Sequence, residues 1–220
     1  MRKIALIYTG GTIGMRQNPQ GKLAPMDFES VAEKIPALKL LPIEIVPVTL
    51  DHPIDSSEMV PTVWQELATV IDGLMDSVDG MVVLHGTDTM AYTACALSFM
   101  FKGLRKPIIM TGSQLPVGVL RTDAVENIVS AFEFAALADE KGNAVIQEVA
   151  IYFEYELLRG NRAYKRSSNE FNAFSSPNYP KLASSGVSLS VNDDLLWRSN
   201  DSYSLDARVD NAVGVVTLYP

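Results

Sequence analysis

Two threonines, each just past an apolar run, are the residues best placed to do chemistry: Thr12 in Tyr8-Thr-Gly-Gly-Thr-Ile-Gly14 and Thr87 in His85-Gly-Thr-Asp-Thr-Met90. A threonine hydroxyl is a poor nucleophile at neutral pH. With a base nearby it can attack a carbonyl carbon, and a second hydroxyl beside a carboxylate, here Asp88, can help move the proton. Two further segments have the same character, Asp55-Ser-Ser-Glu58 and Thr111-Gly-Ser-Gln114. Each has a plainer reading on its own, because Thr, Ser or Asp directly before a helix caps free backbone N–H groups. Four strand ends offering such groups to one rim are what point to a ligand site.

The elements that must position these residues follow from periodicity. Ile4-Ala-Leu-Ile-Tyr8 and Met81-Val-Val-Leu84 read as buried strands of a parallel sheet, which puts both threonines at carboxyl strand ends, where open α/β sheets bind ligands. Ile43 to Leu50, Pro107 to Thr111 and Val145 to Phe153 read as further strands. Phe28 to Leu38 and Asp123 to Leu137 read as helices. Val60 to Val78 has apolar residues at 63, 64, 67, 70, 71, 74, 75 and 78, a helical stripe. Thr89 to Phe101 is apolar nearly all round and is expected to be a deeply buried helix. This βαβα rhythm predicts a doubly wound α/β sheet, mostly parallel. Met15 to Asp27, with the turn signal Asn18-Pro-Gln-Gly21, is expected to be a mobile loop over the sheet edge.

The pattern changes after Phe153. Leu157 to Tyr164 is expected to form a β-hairpin turning at Gly160-Asn161. The reading of the domains is 1–183 as the main domain, 184–210 as a linker rich in Ser, Asn and Asp, and 211–220 as the first strand of a second, smaller domain that is largely absent. Val213 to Tyr219 is strongly strand-like.

The net charge of −8 argues against nucleic acid or an anionic membrane as the main partner. Hydrophobic residues make up 47% of the chain, enough for a sizeable core, and no stretch approaches a membrane span. The single cysteine, Cys95, rules out an intrachain disulfide framework and is expected to be a buried small apolar side chain. A first strand starting near Lys3 leaves no room for a secretory signal, so a cytoplasmic protein is expected. Gly10, Gly11 and Gly14 fit neither the dinucleotide nor the Walker A spacing, and suit a tight turn or a close backbone approach. His85 is expected to be a satisfied structural histidine, and no His, Cys or carboxylate spacing suggests a metal site.

Together, Thr9-Gly-Gly-Thr-Ile-Gly14, His85-Gly-Thr-Asp-Thr-Met90 and Thr111-Gly-Ser-Gln114 strongly resemble bacterial-type L-asparaginases, and the start at Met1 resembles the type I cytoplasmic branch. The resemblance implies cofactor-free hydrolysis of L-asparagine to L-aspartate and ammonia. It also implies a flavodoxin-like amino-terminal domain and a homo-oligomer, a dimer often paired into a tetramer. Residue by residue, it implies Thr12 as nucleophile, and Thr87, Asp88 and Lys165 as a Thr-Lys-Asp relay. Ser56 and Ser57 would hold the substrate α-carboxylate, Asp88 its α-amine, and Ser113 with Gln114 would line the amide end. Two departures stand out. Many relatives carry a tyrosine on the loop after the nucleophile, whereas residues 13 to 46 here contain none and Lys22 takes its place. The chain also ends where the family's second domain begins. Alternative readings are an amino-acid-binding domain without turnover, and the amide-hydrolysing subunit of a tRNA-dependent amidotransferase. A nucleotide-binding oxidoreductase is disfavoured by the glycine spacing.

Overall fold

The computed structural model of the chain describes residues 1–17, 23–25, 35–50 and 52–218. Strands β1 (Arg2–Tyr8), β2 (Ile43–Thr49), β3 (Gly80–Leu84), β4 (Ile108–Thr111) and β5 (Val149–Phe153) alternate with helices α1 (Pro61–Leu74), α2 (Met90–Met100) and α3 (Ala124–Ala136). After β5 come β6 (Glu156–Arg159), β7 (Ala183–Ser184) and β8 (Ser190–Val191). These eight strands form one sheet in the order β8-β7-β6-β5-β4-β3-β1-β2. Strands β1 to β5 are all parallel, in the flavodoxin-like order 2-1-3-4-5. Strands β6, β7 and β8 add on antiparallel. The expected doubly wound sheet is present.

Strand β1 is buried on both faces from Ile4 to Tyr8 because helices cover both. Ile4, Leu6 and Tyr8 point to the side where Ile128, Ala131 and Phe132 of α3 pack. Ala5 and Ile7 point to the other side, against Leu67 and Ile71 of α1 and Met90, Ala94 and Leu97 of α2. Burying one such aliphatic side chain stabilises by about 1.5–3 kcal/mol, so a one-residue slip that misplaced the whole set would be costly. Register is thereby fixed, with Ile7 opposite Val83 and Tyr8 opposite Leu84.

Several elements differ in extent from the sequence reading. Helix α1 starts at Pro61, suited to a first helical position, and ends at Leu74, although Met75 and Val78 still bury in the turn that follows. Helix α2 is not buried all round: Tyr92 and Phe99 are 66% and 68% exposed, because only one face of the helix meets the sheet. Cys95 on this helix is half-buried rather than fully buried. Strand β5 begins at Val149, since Ala144 pairs with Ala138 in the loop before it.

The hairpin after the last crossover turns at Glu154-Tyr155, not at Gly160-Asn161. Glu154 and Tyr155 have φ of 44° and 67°, the left-handed pair that matches strand twist, so β5 and β6 pair directly. Neither residue is Gly, Asn or Asp, which is why this turn left no mark in the sequence. Part of the helix expected from Phe28, the Asn18 to Gly21 turn and Lys22 lie outside the described residues. Pro36–Leu40 is a short 3-10 turn, and Met15–Gln17 pairs antiparallel with Leu23–Pro25.

The 184–210 segment lies against the domain. Ser204–Leu205 pairs with Phe101–Lys102, and Gln65 donates to the Ala207 carbonyl at 2.9 Å. From residue 213 to 218 the backbone forms no ladder with the other described residues, and Val213, Val215, Val216 and Leu218 are exposed.

Candidate active site

A 2-1-3-4-5 sheet reverses its winding between β1 and β3, and a crevice opens there at the carboxyl edge. Thr12 follows β1 and Thr87 follows β3, so both expected threonines sit at this switch point. The strand ends do not splay apart. Thr9 N–H donates to the Leu84 carbonyl at 3.1 Å and His85 N–H to the Thr111 carbonyl at 2.9 Å, so the ladder runs on into the loops. Glycines let those loops touch. A Cβ on Gly11 would run into the backbone of Gly86, one on Gly10 into Ile54, and one on Gly86 into the Ser56 side chain. Gly10 and Gly11 also have φ of 118° and 90°, which side-chain-bearing residues adopt only under strain. The glycines of the first motif are there for close approach.

Around Thr87 the geometry is specific. Lys165 Nζ donates to Thr87 Oγ1 at 2.7 Å and to Asp88 Oδ1 at 2.6 Å. Thr87 Oγ1 in turn donates to Gln114 Oε1 at 3.3 Å. Thr87 is 7% exposed, and the Lys165 side chain is largely buried while that of Asp88 stands open to solvent. Lys165 reaches this point because Tyr164–Lys165 pairs antiparallel with Phe174–Ser175 beside the rim. A residue that composition alone would leave on the surface is thus brought across to Thr87 and Asp88.

The other expected site residues are placed as follows. Thr12 opens a three-residue 3-10 turn and is half-buried. Ser56 is buried, its carbonyl accepting the Thr89 hydroxyl at 2.7 Å, which ties the second loop to the Thr87 loop. Ser57 is exposed, and its N–H and hydroxyl both donate to Asp55 Oδ1. Ser113 is buried and its hydroxyl donates to the Leu115 carbonyl at 2.6 Å. Gln114 Nε2 donates to the Glu170 carbonyl at 3.0 Å. Thr87, Asp88, Lys165 and Gln114 are linked directly, Ser56 and Thr12 are joined to them through loop contacts, and Ser57 faces only its own loop.

His85 has the structural role expected of it. It is 1% exposed; Nδ1 bonds the Gly86 carbonyl at 2.7 Å and Nε2 bonds the Thr93 hydroxyl at 2.9 Å, which also accepts from Trp64 Nε1 at 3.0 Å. Burial pushes its pKa down to about 4, so the ring is neutral and fixes the turn before Thr87. Sequence reasoning missed Thr93 and Trp64, whose pattern on their helices says only that they face inward. It also missed Tyr8, whose phenol donates to the Gly14 carbonyl at 3.3 Å and is pushed up to about 12 by burial. Among the described residues no group of three or more His, Cys, Asp or Glu side chains could hold a metal ion.

A flavodoxin-like α/β domain with a Thr-Lys-Asp cluster at its switch point defines a class of hydroxyl-based site. The chain belongs to the asparaginase family: the model of the asparaginase amino-terminal domain matches residues 3–197. It is 40% identical to L-asparaginase 1 of Escherichia coli, over all of this chain and 64% of that protein. It is 35% identical to the 60 kDa lysophospholipase of Mus musculus, again over all of this chain but 42% of that protein. Among solved structures, L-asparaginase I of Vibrio cholerae superposes with a TM-score of 0.86 at 37% identity, covering all of this chain and 65% of that one. The chain therefore spans slightly under two thirds of these two asparaginases.

Proposed function

We propose that this chain is the amino-terminal catalytic part of a cytoplasmic amidohydrolase that converts L-asparagine to L-aspartate and ammonia. The observation that carries the reading is Lys165 Nζ held at 2.7 Å from Thr87 Oγ1 and 2.6 Å from Asp88 Oδ1. These residues lie 77 and 78 positions away from the lysine and are gathered at the edge where Thr12 also stands.

In this reading Thr12 Oγ attacks the side-chain carboxamide carbon. The C–N bond breaks, the nitrogen leaves as ammonia with the proton that Thr12 gave up, and an ester remains on Thr12. Water then cleaves the ester, releasing L-aspartate and restoring the hydroxyl. Thr87 and Lys165 carry protons for these steps. Lys165 can accept one only after giving one up, and Asp88 holds its Nζ in place from the other side. Asp88 keeps Oδ2 and an exposed face for the substrate ammonium, while the Ser56–Ser57 loop takes the α-carboxylate. The Ser113 hydroxyl spends its proton on Leu115, which leaves its lone pairs to accept the substrate NH₂, with Gln114 beside it. The chemistry needs no cofactor.

We further infer that the catalytic domain begins at residue 1 and runs past 183, because Ser184 and Ser190–Val191 belong to its sheet, that the rest of 184–210 leads out of it, and that 211–220 opens a carboxy-terminal domain, in a homo-oligomer that is at least a dimer. No helix among the described residues is long and apolar enough to cross a membrane.

The test is ammonia release from L-asparagine by this chain and by a version extended to its relatives' length, each with Thr12→Ala and Thr87→Ala. Turnover abolished by both substitutions supports the reading; turnover indifferent to them overturns it. The alternative is a domain that binds the amino acid without turnover. Calorimetry showing L-aspartate heat without product in either version would favour it.

A further inference from the structure

We propose that Asp123 is a positioning residue that locks the Gly112–Val117 segment in the shape that steadies both threonines. This rests on the reading of Thr12 and Thr87 given above. An aspartate directly before α3 would ordinarily cap that helix, but its side chain makes no bond to the first-turn N–H groups. Thr122 takes that place, its hydroxyl accepting from Ala124 N–H at 3.1 Å. The Asp123 carboxylate reaches backwards instead. Oδ1 and Oδ2 accept Gln114 N–H at 3.1 and 2.9 Å, and Oδ1 also accepts Leu115 N–H at 3.1 Å. Asn127, one turn on, donates from Nδ2 to Asp123 Oδ2 at 3.2 Å and to the Gly112 carbonyl at 3.0 Å.

The segment so held touches both halves of the site. Through Gln114 Oε1 it accepts the Thr87 hydroxyl, and through Val117 N–H it donates to the Ile13 carbonyl at 3.4 Å, in the turn that Thr12 opens. Val117 and Ile13 are both buried, so this contact is packed. One carboxylate thus orders backbone that leads to each threonine.

The cost of keeping it is visible. Asp123 is 6% exposed and has no salt-bridge partner among the described residues. Burial outweighs the hydrogen bonds Asp123 accepts and pushes its pKa up; Glu154 across the loop is raised as well, first by its own burial and then by the neighbouring Asp123 and Glu126 charges. A buried anion without a cation is a poor way to gain stability, and its use lies in the amides it fixes.

The test is Asp123→Asn, of nearly the same shape, read by amide hydrogen exchange and by steady-state kinetics on L-asparagine. Exchange at Gln114, Leu115 and Val117 is expected to quicken at least tenfold, with β1 and β3 unchanged. The expected kinetic effect is a kcat lower by at least tenfold with KM changed less than kcat, because Asp123 acts through the backbone of Gln114 and Leu115 and supplies no reacting group itself. Asp123→Glu, which keeps the charge but shifts its oxygens, is expected to move both readouts the same way and serves if the Asn variant does not fold. Unchanged exchange in the segment overturns the inference. So does unchanged kcat in a chain that Thr87→Ala inactivates. A wild-type chain of full relative length without turnover would instead sink the site reading, and exchange alone would still decide what Asp123 holds.

Discussion

The turns that carry Thr12 and Thr87 leave adjacent parallel strands, yet they are supported in different ways. Thr87 is held by side chains from several other segments: Lys165 and Gln114 on its hydroxyl, and the Trp64–Thr93–His85 chain beneath its turn. Thr12 is held mostly by backbone, through the Gly11 approach to Gly86, the Val117 bond to Ile13 and the Tyr8 phenol on the Gly14 carbonyl. The difference matches the two jobs proposed. Proton transfer needs donor and acceptor side chains held within hydrogen-bond reach of each other. An attacking hydroxyl needs a turn that presents it to the crevice and leaves room for a substrate.

If that contrast is right, the largest effect should come from cutting the side-chain support. Lys165→Met keeps the apolar stem and removes the ammonium between Thr87 and Asp88. In a chain that turns over L-asparagine, kcat should fall about 10³-fold, since a positioned proton carrier contributes on that scale. Substrate affinity should change only a few-fold, and stability little. A kcat within tenfold of the unsubstituted chain would mean that the lysine merely neutralises Asp88. On the backbone side the matching cut is Gly11→Ala. Its Cβ would meet the Gly86 backbone, and φ of 90° is strained for alanine. Strain and overpacking together should cost about 4 kcal/mol, read from urea unfolding midpoints. A loss under about 1 kcal/mol would show that the two turns are not in tight contact.

The sequence carried the strands and the rim well, for a physical reason. Buried parallel strands such as Ile4 to Tyr8 must be apolar on both faces, and the residues just past them are then bound to be turns. That logic located Thr12, Thr87, Ser56 and Ser113 with no structure in hand. It could not place Lys165, whose approach to Thr87 depends on pairing between Tyr164–Lys165 and Phe174–Ser175, nor Asp123, which reads as an ordinary helix start. The Glu154-Tyr155 turn was hidden because tertiary packing holds two unfavourable residues in a left-handed conformation, while Gly160-Asn161 offered a local signal that the fold does not use. Helix α2 misled for a related reason. Composition reports how apolar a helix is, and Tyr92 and Phe99 show that apolar residues can still face solvent.

The two turns should also part company with pH, and this is the smallest effect of the three. His85 is neutral when folded, with a pKa near 4 against an ordinary value of 6.5. Between those values the unfolded chain takes up a proton that the folded chain refuses. The contribution of His85 is therefore complete above about pH 6.5 and is lost as the pH falls through 4, where it levels off. The shift corresponds to roughly 3 kcal/mol over that window. His85→Gln removes the titrating group, so its loss of stability from pH 7 to pH 4 should be smaller than that of the unsubstituted chain by about this amount, whatever its stability at pH 7. Equilibrium unfolding at a series of pH values measures the difference between the two curves, and carboxylates common to both cancel in it. Parallel curves would mean that the ring is protonated in place, and that the Thr93 hydroxyl can turn to accept from it. On the Thr12 side Tyr8, pushed up to about 12, does not titrate anywhere in this range. Acid should then loosen the turn of Thr87 before that of Thr12, and hydrogen exchange at Gly86 and Gly14 over the same pH series would show which gives way first.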